Sequence, residues 1–196
     1  MACFVTALHR VTSNDSRTPY LERFIHGSIY QARPDINVVV HSYSVEVLPF
    51  AVGSVPLRPV IQNGGVAGEH IPVWDIRDKF GDTNLLVVNE RQGIDLAARL
   101  AGNNVVLMRG RGFAAAARSL VEAIRMCVYL SINARVLSEA LRFGQVKYLS
   151  VGEIAKIQNT DPNAPELQRA WQYWAGCAGC AVPPKAYRAS CVASNV

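Results

Sequence analysis

The side chains best suited to proton transfer or metal binding near neutral pH are few in this chain. The histidines are His9, His26, His41 and His70. His41 follows the apolar run 36–40, so the pattern places it at the C-terminal end of a buried strand, where α/β sheets commonly open their sites. A partly buried histidine bonded to the backbone fits the same pattern. Glu22 lies four residues before His26, which puts the two on one face of a helix, as a solvated contact or as part of a site.

Two other motifs have the spacing of binding sites. Cys177 and Cys180 have redox or metal spacing, but neither a second such pair nor a histidine pair lies nearby in the Gly/Ala-rich segment, so the pattern does not favour a metal or redox role. Arg109-Gly110-Arg111-Gly112 follows a predicted strand and could line an anion site with backbone N–H groups and two guanidinium groups. A tight turn with solvated arginines fits this segment as well.

The elements that must position these side chains alternate between strands and helices. Apolar, β-branched runs predict strands at 36–41, 45–52, 85–88 and 105–108, with a short extended piece near 71–74. Helical spacing predicts helices at 22–32, 91–100, 119–141, 150–158 and around 166–174. Ser119 and Glu122 form a capping box at the start of the third helix. This order predicts a three-layer α/β or α+β domain.

Composition narrows the class of protein. Of 196 residues, 50% are hydrophobic and 18% are charged, which supports a sizeable core and excludes disordered and collagen-like chains. No segment has the roughly 18 to 20 consecutive apolar residues of a membrane-spanning helix. The odd count of five cysteines favours reduced thiols, so we expect a cytoplasmic protein. A net charge of +5 is weak support for nucleic acid, and neither a nucleic-acid nor a membrane partner is predicted. We expect a single domain over 1–176 and a flexible tail over 177–196.

Two segments resemble the class II aldolase/adducin family. The first is ERFIHGSIY at 22–30 followed by ARPDINVVVH at 32–41, and the second is LMRGRGF at 107–113 together with the helix that runs from Ser119 to Arg135. The resemblance extends roughly from 19 to 141, in order. It implies a central, mainly antiparallel sheet between helical layers, typically in a tetramer with active sites between subunits.

The resemblance also implies a metal site. Enzymes of this family hold a divalent metal, usually zinc, with a His-x-His at the strand end and a third histidine in a Gly-His-Gly, and a preceding glutamate acts as acid/base. Glu22 lies at the acid/base position, 19 residues before His41, which is the first ligand. Tyr43 stands in place of the second histidine and Arg111 in place of the third.

These two exchanges change the chemistry that is expected. One histidine and a carboxylate do not give ordinary three-ligand zinc affinity, and Arg111 brings a permanent positive charge. Arg111 could instead pair with a substrate carboxylate or oxyanion, while Glu22 delivers a proton. His41 could polarise the substrate or bind a residual divalent metal, and Tyr43 could be a ligand only as a phenolate.

The substrate side departs from the sugar-phosphate aldolases too. Tyr20 and Leu21 precede Glu22 where those enzymes have the Ser-Ser of a phosphate cradle, and we expect the family's opening elements to be missing before Met1. Segments 44–50, 56–60, 71–77 and 171–174 look like a branch that includes decarboxylases of hydroxylated aromatic carboxylates.

The resemblance therefore implies a carbon–carbon lyase, a decarboxylase of a small hydroxyaromatic or related carboxylic acid, that forms homo-oligomers. A catalytically inactive relative or binding module is the alternative. A sugar-phosphate aldolase conflicts with both departures.

Overall fold

The computed structural model describes residues 5–6, 9–10, 19–161 and 164–180. The chain divides into two compact units, Met1–Thr160 and Asp161–Val196. Of the predicted tail, Cys177 is the last residue of a helix, and 181–196 lie outside the described residues. A domain over 1–176 with a flexible tail stays a prediction.

A four-stranded sheet lies at the centre of the first unit. Two short strands, β1 (Val5–Thr6) and β2 (His9–Arg10), form a separate antiparallel pair. The central sheet consists of β3 (Val38–Ser42), β4 (Val73–Trp74), β5 (Val105–Met108) and β6 (Gly112–Ala117), in the order β3-β6-β5-β4. β6 is antiparallel to both of its neighbours, and β4 is parallel to β5. The expected mainly antiparallel sheet is confirmed.

Helices cover both faces of this sheet. In the first unit they are α1 (Arg23–Ala32), α2 (Leu48–Val52), a 3₁₀ helix (Gln62–Ala67), α3 (Arg77–Phe80), α4 (Glu90–Leu100), α5 (Leu120–Arg142) and α6 (Val151–Gln158). The second unit contains α7 (Pro165–Cys177). The Ser119 hydroxyl accepts a hydrogen bond from the backbone N–H of Glu122 at the start of α5, as predicted. The predicted helices are confirmed, most of them to within a residue at each end.

The strands divide their side chains between two cores. Val105 and Leu107 of β5 point into a core built with α2, the 3₁₀ helix and α5. Val106 and Met108 point to the opposite face, against α1 and α4. Because successive residues of a strand face opposite sides, a strand buried on both faces must be apolar throughout. The three-layer architecture is thereby confirmed.

Two predicted strands are wrong. In segment 45–52 a turn at Ser44 leads into α2, and Pro49 lies in the first turn, where its missing N–H costs nothing. Segment 85–88 forms no strand, because the backbone N–H groups of Val87 and Val88 donate to side chains of Glu22 and Gln92. Conversely, β6 was missing from the predicted strands. Its four alanines have high helix propensity, which burial between two helical layers overrides.

No helix among the residues that the structure describes is both long and apolar enough to cross a bilayer.

Candidate active site

The pairing of β3 with β6 brings two distant motifs together. His41 lies opposite Ala114, and Ser42 lies opposite Phe113, so the end of β3 is beside the turn that precedes β6. Arg111 occupies this turn, and its backbone N–H donates to the Met108 carbonyl at 2.8 Å. Gly112 has a φ of 89°, and a Cβ there would lie 2.1 Å from the Ser42 carbonyl oxygen. Only glycine permits this approach, which fixes Arg111 next to the end of β3.

Glu22 and Arg111 form an ion pair in this corner. Glu22 is the N-cap residue of α1, and its Oε2 accepts a hydrogen bond from Nη2 of Arg111. The two side chains are only 8% and 14% exposed. The other oxygen, Oε1, accepts the backbone N–H of Val87 at 3.3 Å. Glu22 is therefore held at both oxygens, by the guanidinium and by the backbone.

Tyr20 lies beside the same carboxylate. Its hydroxyl is 3.5 Å from Oε2 of Glu22. Burial raises the pKa of the Tyr20 phenol, and the negative charge of Glu22 raises it further. Tyr20 is consequently a neutral hydroxyl donor at the edge of the pair.

His41 is held in one tautomer. Its Nδ1 lies 3.0 Å from the Phe113 carbonyl, and because a carbonyl only accepts, Nδ1 carries the hydrogen. Burial lowers the pKa of His41, with a further contribution from Arg111, against the opposing effects of the Phe113 carbonyl and Glu22. Nε2 is buried and has no hydrogen-bond partner among the described residues. His41 therefore presents an unshared electron pair inside the site.

Tyr43 connects His41 to Arg111. The ring centroids of His41 and Tyr43 are 5.4 Å apart, at an interplanar angle of 57°. The Arg111 guanidinium carbon lies 4.8 Å from the centroid of the Tyr43 ring, a cation–π contact. The Tyr43 side chain is one of the exposed large apolar groups, at 53%. It thus forms the solvent-facing side of the cluster, which comprises Glu22, His41, Tyr43 and Arg111.

His26, in the first turn of α1, lies near the cluster. Its Nδ1 is 3.2 Å from the Val39 carbonyl, and burial lowers its pKa, an effect that His41 reinforces and Glu22 opposes. Glu22 and His26 lie on the same helix, with Glu22 as the N-cap residue of α1 and His26 in its first turn. Sequence patterns did not predict the bond from the Val87 backbone to Glu22, because the apolar segment 85–88 predicts a strand.

The other motifs have separate surroundings. Arg109 forms an ion pair with Asp75 at 2.5 Å, so the two arginines of the Arg-Gly-Arg segment have different carboxylate partners. This pairing favours a structural role for Arg109. Cys177 and Cys180 are exposed free cysteines at the end of α7.

The donor atoms of the cluster do not fit a three-histidine metal site. In the described part of the chain, no group of three or more His, Cys, Asp or Glu side chains could hold a metal ion. His41 offers one nitrogen, whereas Glu22 is engaged by Arg111, which itself has no electron pair to give. A divalent metal would have to bind next to the guanidinium charge.

Comparison with known proteins gives a family. Residues 3–138 match the family model described as "Class II Aldolase and Adducin N-terminal domain". The decarboxylase tropJ of Talaromyces stipitatus is 31% identical over 177 residues, which cover 79% of this chain and 66% of that protein. A 3,4-dihydroxyphthalate decarboxylase of Arthrobacter keyseri is 23% identical over 150 residues, 76% of this chain and 59% of the relative. The chain thus spans about three fifths to two thirds of the length of these relatives.

Solved structures support the fold. An L-fuculose 1-phosphate aldolase superimposes with a TM-score of 0.60 at 23% identity, over 73% of this chain and 64% of that chain. Together with the family match and the sheet between helical layers, this similarity leads to one conclusion. The chain belongs to the class II aldolase/adducin family.

Proposed function

We propose that the protein is a carbon–carbon lyase that decarboxylates a small hydroxyaromatic or related carboxylic acid. One observation carries the proposal: a largely buried glutamate and arginine are held against each other, near enough to His41 to affect its pKa. The relatives that are named decarboxylases support this reaction over aldol cleavage.

Loss of CO₂ from an aromatic acid needs two things from the protein. A proton must reach the ring carbon that bears the carboxylate, and negative charge on the substrate must be stabilised while the carbon–carbon bond breaks. The Glu22 carboxylate can carry the proton, and the Arg111 guanidinium, whose side chain is largely buried, supplies a fixed positive charge.

The proposed reaction balances with these groups alone. Glu22 takes the proton of the substrate hydroxyl, and Arg111 holds the resulting oxyanion. Glu22 then gives that proton to the carboxylate-bearing ring carbon. The bond to the carboxylate breaks, CO₂ leaves, and its electron pair restores the aromatic ring and the oxyanion. The oxyanion takes up a proton from water, and Glu22 is again a carboxylate.

His41 and Tyr43 have supporting roles in this proposal. Nε2 of His41 accepts a hydrogen bond from a second hydroxyl of the substrate, next to the one that gives its proton to Glu22, and so orients the ring. The ring of Tyr43 lies against the guanidinium of Arg111 and keeps it in place. We further propose that the protein is cytoplasmic and forms a homo-oligomer, a tetramer by resemblance, which light scattering can measure.

An inactive relative is the second candidate, and the same ion pair favours it. Glu22 and Arg111 satisfy each other, as the two members of a purely structural pair would. In that case neither side chain needs a substrate, and the protein would act through binding.

The experiment is a test of CO₂ release. We would incubate the full chain with carboxyl-¹³C-labelled mono- and dihydroxybenzoates and measure ¹³CO₂. For a substrate that turns over, Glu22→Gln should lower kcat by about 10² to 10⁴, the usual contribution of a general acid–base. Glu139→Gln, in an exposed pair with Arg142, is the matched control and should retain full activity.

The outcomes separate the two candidates. Retained turnover in Glu22→Gln would refute the assignment of Glu22 as the proton carrier. If the folded wild-type protein released no CO₂ from any acid of the panel, the inactive relative would be the better description.

A further inference from the structure

The place that a third metal ligand would occupy in this family holds a cation of the protein itself. Arg111 is fixed by three contacts: its backbone N–H on the Met108 carbonyl, its Nη2 on Glu22, and its guanidinium face on Tyr43. Its side chain is largely buried. A guanidinium does not lose its proton in proteins, so this positive charge is permanent.

The surroundings of His41 oppose a second cation. Tyr43, in contact with the His41 ring, carries a phenol, which is a poor metal ligand in its neutral form. The nearest carboxylate, Glu22, is engaged by Arg111. A divalent ion at Nε2 of His41 would have a single good ligand and a neighbouring positive charge, with little water to screen their repulsion.

The same arrangement suits an anion. Nε of Arg111 is buried and has no hydrogen-bond partner among the described residues. Nε2 of His41 is likewise buried without a hydrogen-bond partner among the described residues. The permanent charge of the guanidinium attracts an oxygen anion, whereas it repels a metal ion.

We propose that the guanidinium of Arg111 takes the place of the divalent metal in this site, which consequently has no stoichiometric zinc site. This inference concerns binding and holds whether or not the proposed decarboxylation is correct.

Zinc binding by the full chain tests the proposal. The wild-type protein, purified without chelator and passed through gel filtration, should contain far less than one zinc per chain by elemental mass spectrometry. It should also show no saturable binding in calorimetric titration with ZnCl₂. The double variant Tyr43→His/Arg111→His restores the three-histidine set with His41 and should bind about one zinc per chain.

The chain offers a matched control. His41→Ala/Tyr43→His/Arg111→His places the same two histidines at the same positions but lacks the third ligand, and it should gain no stoichiometric zinc. Circular dichroism verifies that both variants are folded.

Each outcome decides. A zinc content near one per wild-type chain that is lost in His41→Ala would overturn the proposal. This measurement does not depend on the folding of any Arg111 variant. A folded Tyr43→His/Arg111→His protein without zinc, or equal zinc in the control, would overturn it too. Zinc-free protein that turns over no acid would refute only the proposed reaction, whereas a zinc-containing decarboxylase would refute only this inference.

Discussion

Two polar side chains that are largely removed from solvent, Asn133 of α5 and Arg111 of the turn before β6, are used in opposite ways. Asn133 of α5 is almost fully buried, and all its hydrogen bonds go to the backbone of one loop. Its Oδ1 accepts from the N–H groups of Val60 and Ile61, and its Nδ2 donates to the Arg58 carbonyl. The guanidinium of Arg111 bonds to the Glu22 side chain and lies over the Tyr43 ring, and Nε has no hydrogen-bond partner in the described part of the chain.

Bonds to the backbone indicate a structural role for Asn133, whereas contacts with other side chains leave Arg111 available to a ligand. A side chain that satisfies backbone groups cannot be replaced without leaving those groups unpaired. The two charges of an ion pair can be removed together at little cost, provided that the bond from the Val87 N–H to residue 22 is kept. The comparison therefore predicts that Asn133 is needed for the fold and that the Glu22–Arg111 pair is needed for function.

The largest expected effect on stability is the loss of one member of the pair. Arg111→Met leaves the Glu22 carboxylate buried without its cation and should lower the free energy of unfolding by about 3 to 5 kcal/mol. Glu22→Gln/Arg111→Met should recover most of this loss, because the amide oxygen of the glutamine can still accept the N–H of Val87. Urea unfolding of both variants measures the difference.

The surface pair of Glu139 and Arg142 serves as the control for this result. These side chains are 58% and 75% exposed. Arg142→Met should cost less than about 1 kcal/mol, since exposed ion pairs contribute little. If Glu22→Gln/Arg111→Met were no more stable than Arg111→Met, the comparison would fail. The pair would then stabilise other parts of the fold as well.

Asn133→Ala should have the next largest effect. It removes three hydrogen bonds to partly buried backbone groups, and at about 1 kcal/mol each the free energy of unfolding should fall by about 3 kcal/mol. No second substitution should rescue it, since the unpaired partners are main-chain atoms. Asn104→Ala, which removes one bond to the Val66 carbonyl, is the matched control and should cost about 1 kcal/mol. Equal losses in the two variants would contradict the role given to Asn133.

The difference between these regions also explains what sequence patterns could reveal. Helices α1, α4, α5 and α6 were predictable because their apolar spacing, and the capping side chains of the last three, are local properties of the chain. The three layers followed from the order of these elements. β6 could not be predicted, because an alanine-rich segment becomes a strand only when helices from elsewhere bury both of its faces.

The candidate site shows the same limit. Glu22, His41, Tyr43 and Arg111 were singled out by their match to a family pattern, since no local rule joins residues that are 89 positions apart. The ion pair of Arg111 with Glu22 was not anticipated, because which partner the guanidinium meets depends on the turn geometry that Gly112 permits. Similarly, the bond from Val87 to Glu22 required the segment 85–88 to remain outside the sheet.

Substitution of Tyr43 should have the smallest effect on stability, and it tests how Arg111 is positioned in the site. Its ring contacts both His41 and Arg111, whereas its hydroxyl has no described contact in the cluster. Tyr43→Ala should cost about 0.5 to 1 kcal/mol of cation–π interaction, within the range measured for exposed sites. In turnover of an active hydroxyaromatic acid, this variant should raise KM severalfold more than it lowers kcat, because Arg111 is held less firmly.

Tyr43→Phe separates the ring from the hydroxyl. It keeps the ring face on the guanidinium, so its KM should be close to that of the wild-type protein. Steady-state kinetics of the two variants, measured side by side, would show this. If the phenylalanine variant were instead as impaired as the alanine variant, and in kcat, the hydroxyl of Tyr43 would itself take part in the reaction. Tyr43 would then be a catalytic residue and not only one that positions Arg111.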